Sequence, residues 1–359
     1  MAVIVSAYRT PIGKIGGFLA GYSPANLLAT LMSNNLSSIG YGPEVVEHVI
    51  IGQAFPERAV MDVTRAAAKE AGLPERVSSS SVRQACGSGM LAVHYAYMAI
   101  MSGQAEVVMC GGIEQMTAVA QSEASVDAFD RKSGAETVAQ SEAYLAEKYR
   151  IGPDERELYA AESLSRARVA IDAGRFDDEV VPIQYFSDRS ETRLIATDEI
   201  PEQEHGVAGA YPFADGAAVL LMMKEERAAQ LGLYPLVRLR GIGMAGVSPQ
   251  EAGLGPLAAS VKALAQAGLS LQQVELIELH ERYPIGNIAV LREWGISAER
   301  VNVNGGSLAL GDPVGCSGAR MIVTLAHEMK KRRARYGLAA TGISGGQGIA
   351  TVLENCGLP

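Results

Sequence analysis

The sequence is poor in the residues that build disulfide scaffolds and metal centres. It holds four cysteines, Cys86, Cys110, Cys316 and Cys356, with no CxxC pair among them. Their wide spacing excludes a compact disulfide framework and predicts free thiols in a reducing cytoplasm. The five histidines (His48, His94, His205, His280, His327) show no metal-ligand spacing, so no metal site is expected. Long apolar runs are lacking too. The longest lies near 217–223, far short of the roughly twenty residues that span a bilayer. Residues 1–11 (MAVIVSAYRTP) have no basic stretch ahead of their apolar one, unlike a signal peptide. A soluble cytoplasmic protein without membrane partners is the expectation. Positive charge is short: 31 Lys and Arg face 40 Asp and Glu, a net −9, and only 330–335 clusters them. Nucleic acid is therefore not the expected partner.

What remains is apolar and rich in glycine. The 359 residues are 48% hydrophobic and 20% charged, with 39 Gly and 15 Pro. That composition excludes bulk disorder and fits roughly two domains. Short β-branched runs alternate with amphipathic stretches: strands at 3–6, 45–51 and 106–110, helices at 24–37, 64–71 and 91–101. This alternation predicts an α/β fold with helices on the faces of a sheet. The segment 116–207 is richer in Ser, Glu, Asp and Arg, has helical periodicity at 138–149 and 155–173, and carries few strand signals, so it reads as an inserted lobe. Alternation resumes at 217–223. There is also an internal echo. Cys86-Gly87-Ser88-Gly89, a helix, a strand and Gly111-Gly112 are matched by Cys316-Ser317-Gly318, a helix, a strand and Gly345-Gly346. The echo suggests a duplicated domain, arranged as 1–115 with 208–235, then 236–359, with 116–207 inserted.

Cys86 is the candidate nucleophile. Glycines around it permit a sharp turn, and a helix follows at once, so the thiol would lie near unpaired backbone N–H groups. The helix dipole shifts a thiol by less than one pKa unit, so a basic partner is expected. A buried structural thiol is the alternative, and suits Cys110 better. His280, just past the strand 274–279, is placed where open α/β sheets carry their sites. A surface loop histidine is the alternative there. His94 reads as a core or interface residue, and His327 as solvated. The glycine-dense loops at 304–306, 311–318 and 344–348 can bring backbone N–H groups close to a ligand. A GxGxxG match at 241–246 is set aside, because no helix is expected after it.

Taken together these stretches resemble the thiolase superfamily of acyl-CoA condensing enzymes over nearly the whole chain. The resemblance rests on 5–17 (VSAYRTPIGKIGG), 84–89 (QACGSG), 215–218 (DGAA), 301–306 (VNVNGG), 311–318 and 342–348. It implies two similar α/β halves in five αβαβα layers, an inserted lobe, and a homodimer formed through an edge strand around 82–85. It implies a Cys86 acyl-enzyme drawn from an acyl-CoA or an acyl carrier protein, with a coenzyme A thioester as substrate and no bound cofactor. The oxyanion hole would use the backbone N–H groups of Cys86 and Ser344.

Four positions depart from the pattern. His280 stands for the family's Asn, Asp312 for its catalytic His, Gly342 for its second Cys, and Tyr211 for a Ser that contacts the pantetheine arm. The site thus partly resembles type III ketoacyl synthases, which use Cys, His and Asn. The expectation is that Cys86 takes the acyl group, His280 assists proton transfer and Asp312 orients His280. The acceptor would be a carbon or a heteroatom, with degradative thiolysis disfavoured. Two alternatives remain: an acetyl-CoA C-acetyltransferase with an atypical base, and a non-catalytic thiolase-like binding subunit. Tyr211 and the shortened lobe further imply weak binding of free CoA.

Overall fold

The computed structural model describes residues 1–56, 62–121, 135–186, 192–200 and 213–357. In chain order these residues form β1 (Ala2–Arg9), β2 (Gly13–Lys14), α1 (Pro24–Ile39), β3 (His48–Gly52), α2 (Val63–Glu70), β4 (Ser78–Val82), α3 (Ser88–Met101), β5 (Val107–Gln115) and α4 (Met116–Gln121). The lobe supplies α5 (Ala135–Tyr149), α6 (Pro153–Asp172), β6 (Ile183–Phe186) and β7 (Thr192–Ile195). Then come β8 (Ala214–Lys224), α7 (Glu225–Gln230), β9 (Val237–Gly246), α8 (Gly255–Ala267), β10 (Leu276–Leu279), α9 (Pro284–Trp294), α10 (Ser307–Leu310), α11 (Ser317–Arg332), β11 (Tyr336–Ile343) and β12 (Gln347–Asn355).

The same strand order is built twice. The first half runs β4-β3-β5-β8-β1, parallel at β4-β3-β5 and antiparallel onward. The second runs β10-β11-β12-β9, with Val301 bridging Ile277 in parallel where a fifth strand would lie. The two halves join where Val3 and Ile4 pair with Arg238 and Val237.

Strand alternation sets the layers, because successive side chains point to opposite faces. In β1, Ala2 and Ile4 face a central cluster with α3 and α11, while Val3 and Val5 face an outer cluster with α1 and α2. In β12, Ile349 and Leu353 face the same centre, and Ala350 and Val352 face α8 and α9. The result is five layers, helix-sheet-helix-sheet-helix. Strands covered on both faces read as continuous apolar runs, which explains 107–110 and 217–223. Gly89 lets the central helices approach: a Cβ there would stand 2.9 Å from the Gly315 carbonyl oxygen and 2.9 Å from the Ala319 nitrogen. The GxGxxG match lies inside strand β9 rather than in a turn after it, although a 3-10 segment from Pro249 and helix α8 from Gly255 do follow, against the expectation of no helix.

The lobe differs from its sequence reading in one respect. It contains a hairpin, β6 with β7, that its polar composition concealed. It is also pinned rather than loosely attached. Buried Arg9 pairs with Glu179 at 2.6 Å and with Asp198 at 2.7 Å and 3.0 Å. Removing one partner of such a buried pair typically costs about 3–5 kcal/mol. The first half's edge strand is β4, ending at Val82; residues 85–87 form a turn of 3-10 helix instead.

Candidate active site

Cys86 sits in that turn, immediately before α3, and is 1% exposed. The turn is closed by Ser88, whose Oγ accepts from the Gln84 N–H at 2.8 Å and donates to the Ala85 carbonyl at 2.7 Å. Ala85 has φ +45°, a left-handed conformation that typically costs about 1–2 kcal/mol for a residue with a Cβ. The surrounding turn holds that strain and fixes the next residue, Cys86.

His280 follows β10 and is buried, with its backbone N–H donating to the Ala340 carbonyl at 2.9 Å. The VNVNGG stretch explains why it sits so firmly. Asn302 brackets the strand end, accepting from the Leu279 N–H and donating to the Leu279 carbonyl, both at 2.8 Å. Glu281 faces away from the cleft. It accepts from Ser163 at 2.6 Å, Asn302 at 2.8 Å and the Leu308 N–H at 3.2 Å, tying the loop to the lobe.

His280 Nε2 lies 3.0 Å from Asp312 Oδ1, which also accepts from the Ser317 hydroxyl. Burial pushes the His280 imidazole down to about 3, helped by Arg282 and Arg320. Burial pushes the Asp312 carboxyl up to about 7, against the opposing Ser317 hydrogen bond and Arg320. Both shifts disfavour an ion pair of imidazolium and carboxylate at this contact. Glu114 holds the neighbouring loop, accepting from the N–H groups of Ala54 at 2.8 Å and Gly315 at 3.0 Å.

Arg282, two residues past His280, went unnoticed in the sequence. Its Nη1 lies 3.6 Å from Cys86 Sγ and donates to Ser344 Oγ at 2.6 Å. Burial pushes the Cys86 thiol up to about 12, and Arg282 is the leading influence that opposes this. The guanidinium thus supplies the positive partner a nucleophilic thiol requires. Arg282 and Ser344 also line a narrow cleft with His280, Gly342, Glu142 and Asn287. Only its place within the HERYP stretch could have drawn notice to Arg282. Glu142, on a lobe helix, gave no signal at all.

Two of the remaining histidines, His94 and His327, are structural. His94 Nε2 meets Thr351 Oγ1 at 2.9 Å in the core. His327 is not solvated, as its charged neighbours suggested; it is buried, with Nε2 2.8 Å from the Ala7 carbonyl. The central packing of α11 turns that face inward. Tyr211 lies outside the described residues.

The sequence matches the family profiles described as Thiolase, N-terminal domain, over residues 2–226 and Thiolase, C-terminal domain, over 233–355. The chain belongs to the thiolase family. It is 38% identical to an acetyl-CoA acetyltransferase of Pseudomonas aeruginosa and 36% identical to a probable acetyl-CoA acetyltransferase of Escherichia coli, over 98% of both chains in each case. Among solved structures it resembles the Bacillus anthracis acetyl-CoA acetyltransferase, with TM-score 0.89 and 33% identity, covering 99% of this chain and 98% of that one. It also resembles human mitochondrial 3-ketoacyl-CoA thiolase, with TM-score 0.91, 29% identity and the same coverage. This thiolase-family chain is an acyltransferase. No helix among its described residues is long and apolar enough to cross a membrane.

Proposed function

We propose that this protein is an acetyl-CoA C-acetyltransferase working with an atypical base, the alternative that the names of its relatives favour over a reading without thiolysis. The observation that carries the mechanism is the Arg282 guanidinium 3.6 Å from Cys86 Sγ. Arg282 turns from between Ser344 and Cys86 to admit the thioester, and stabilises the Cys86 thiolate as it forms. The thiolate attacks the acyl carbonyl and expels the CoA thiolate. The backbone N–H groups of Cys86 and Ser344 face the developing oxyanion, and such donors are typically worth about 2.7–4 kcal/mol each. Asp312 orients the His280 ring toward proton transfer. A coenzyme A thioester is the substrate; a carrier-protein donor has no specific support.

The homodimer reading draws support from the first half's edge. The side chains of β4 are mostly exposed, and beside it Tyr95 and Met98 on α3 are 42% and 39% exposed. Unpaired strand edges and exposed apolar side chains are features that partners cover.

Incubation with acetyl-CoA followed by peptide mapping tests the acyl-enzyme. Acetylation confined to Cys86 is expected. Labelling of Cys110 or Cys316 instead, or none, would sink the catalytic reading.

A further inference from the structure

Joining an acetyl group to the α-carbon of a second thioester requires a base for the α-proton. Gly342, on the cleft wall, offers no side chain. The ionisable side chains lining this cleft are Glu142, His280, Arg282 and Tyr283. Arg282 is a cation. Tyr283 is a weak acid whose phenolate is scarce near neutrality. His280 is engaged through Nε2 with Asp312. Of the other nearby carboxylates, Asp312 is held by His280 and Ser317, Glu281 is held by the lobe and the 301–308 segment, and neither lines the cleft. Glu142 is therefore the one carboxylate among the described residues that lines it.

Its placement is supported from three sides. Helix α5 carries it in from the lobe, and Leu145 on the same helix is buried in the outer cluster of the second half. The Gly286 N–H, in the first turn of α9, hydrogen-bonds to the carboxylate, and Arg156 and Arg282 act on it electrostatically. Arg282 reaches from this wall of the cleft to Cys86 Sγ, so one guanidinium connects the carboxylate and the nucleophile.

We propose that Glu142 is the base that removes the α-proton of the acceptor thioester. The proposal rests on the Cys86 acyl-enzyme. The Glu142 carboxylate takes a proton from the acceptor methyl group, and the C–H electron pair becomes the enolate. The enolate carbon attacks the acyl carbonyl on Cys86, forming the C–C bond. The C–S bond then breaks, its electron pair leaves on the Cys86 thiolate beside Arg282, and the proton held by Glu142 returns to that sulfur. Burial pushes the Glu142 carboxyl up to about 7, opposed by the Gly286 N–H and the two arginines, which suits a base working near neutrality.

The test uses acetyl-CoA in deuterated water, reading deuterium at the acetyl methyl by mass spectrometry alongside acetoacetyl-CoA formation. Glu142→Gln should lower exchange and condensation together by about 10²–10⁴-fold. Acetylation of Cys86 should fall far less than exchange and condensation do, and a circular dichroism spectrum equal to that of the wild type shows that the variant is folded. Glu142→Asp, which keeps the carboxylate, should recover part of both. Glu142→Gln exchanging at the wild-type rate overturns the assignment. So does wild-type protein that acetylates Cys86 but exchanges no α-hydrogen, and that outcome leaves the acyl-enzyme standing. Absence of Cys86 acetylation defeats both readings.

Discussion

Replacing Arg282 by Met tests whether the guanidinium holds the Cys86 thiolate. Methionine keeps a long flexible side chain between the cleft and the sulfur and removes only the charge and the donors. Two unit charges 3.6 Å apart interact by about 4.6 kcal/mol at an effective dielectric near 20. That is an upper bound of roughly 3.4 pKa units at about 1.36 kcal/mol each. Arg282 is partly exposed and acts on Glu142 as well, and solvent screening brings the lower bound to about 1.5 units. The Cys86 thiol, already pushed up to about 12, moves further up in the variant. Each added unit cuts the thiolate fraction tenfold but raises its nucleophilicity roughly threefold, a net loss of about threefold per unit. Alkylation of Cys86 by iodoacetamide at pH 8 should therefore slow by about 5- to 40-fold. The assay must be read by peptide mapping or in a Cys356→Ser background, because half-buried Cys356, its thiol pushed up to about 11, reacts sooner. Arg282→Lys should lie between the two. A rate in Arg282→Met equal to or above wild type would refute the argument and leave Arg282 as a steric gate.

Gly342→Cys should fold with a Tm within a few degrees of wild type, since a Cβ there meets only Pro256, at 3.6 and 3.7 Å. It should raise acetoacetyl-CoA thiolysis at least tenfold by adding a second acid–base group; unchanged turnover would show that this wall of the cleft does not face the α-carbon. Asp312→Asn should reveal the His280 titration. Held neutral down to about 3 against an ordinary 6.5, His280 makes stability rise with pH between those values; Asp312, protonated up to about 7 against 3.8, gives the opposite slope. The two offset in the wild type, with Ser317, Arg320, Arg282, Glu114 and Cys86 around the pair. Urea midpoints of the variant should climb from pH 4 to 6.5 more steeply than those of the wild type, and equal slopes would count against the neutral pair. Sedimentation at micromolar concentration should give twice the monomer mass, and Tyr95→Glu with Met98→Glu should give monomers of unchanged circular dichroism; a monomeric wild type would remove the dimer.

Much of the fold is written locally. Ser23 caps α1, Pro24 opens it and Gly40 closes it in the left-handed region; the start at 24 was legible in the sequence, while the reading stopped at 37, short of the Gly40 cap. Strands such as β8, covered on both faces, carry their burial as an unbroken apolar run. Turn chemistry likewise marked QACGSG and placed Cys86 ahead of a helix. The β6-β7 hairpin left no such mark: Ile183, Tyr185 and Ile195 pack on the outer cluster of the first half, but they are too few within a polar segment to set a strand pattern.

The sequence by itself determined most of the elements, the repeated turn-helix-strand pattern and the separate candidates Cys86, His280 and Asp312. Tertiary structure alone decided what those side chains meet. The 3.0 Å contact of His280 with Asp312 spans 32 positions, and Arg282 reaches Cys86 across 196. Such distances are fixed by how the two sheets stack on α3 and α11, and no local pattern encodes them. The same holds for protonation. His327 and Glu142 look like ordinary helix-surface residues in sequence, but burial depends on which face another layer covers. A charge loses its hydration only when that layer closes over it.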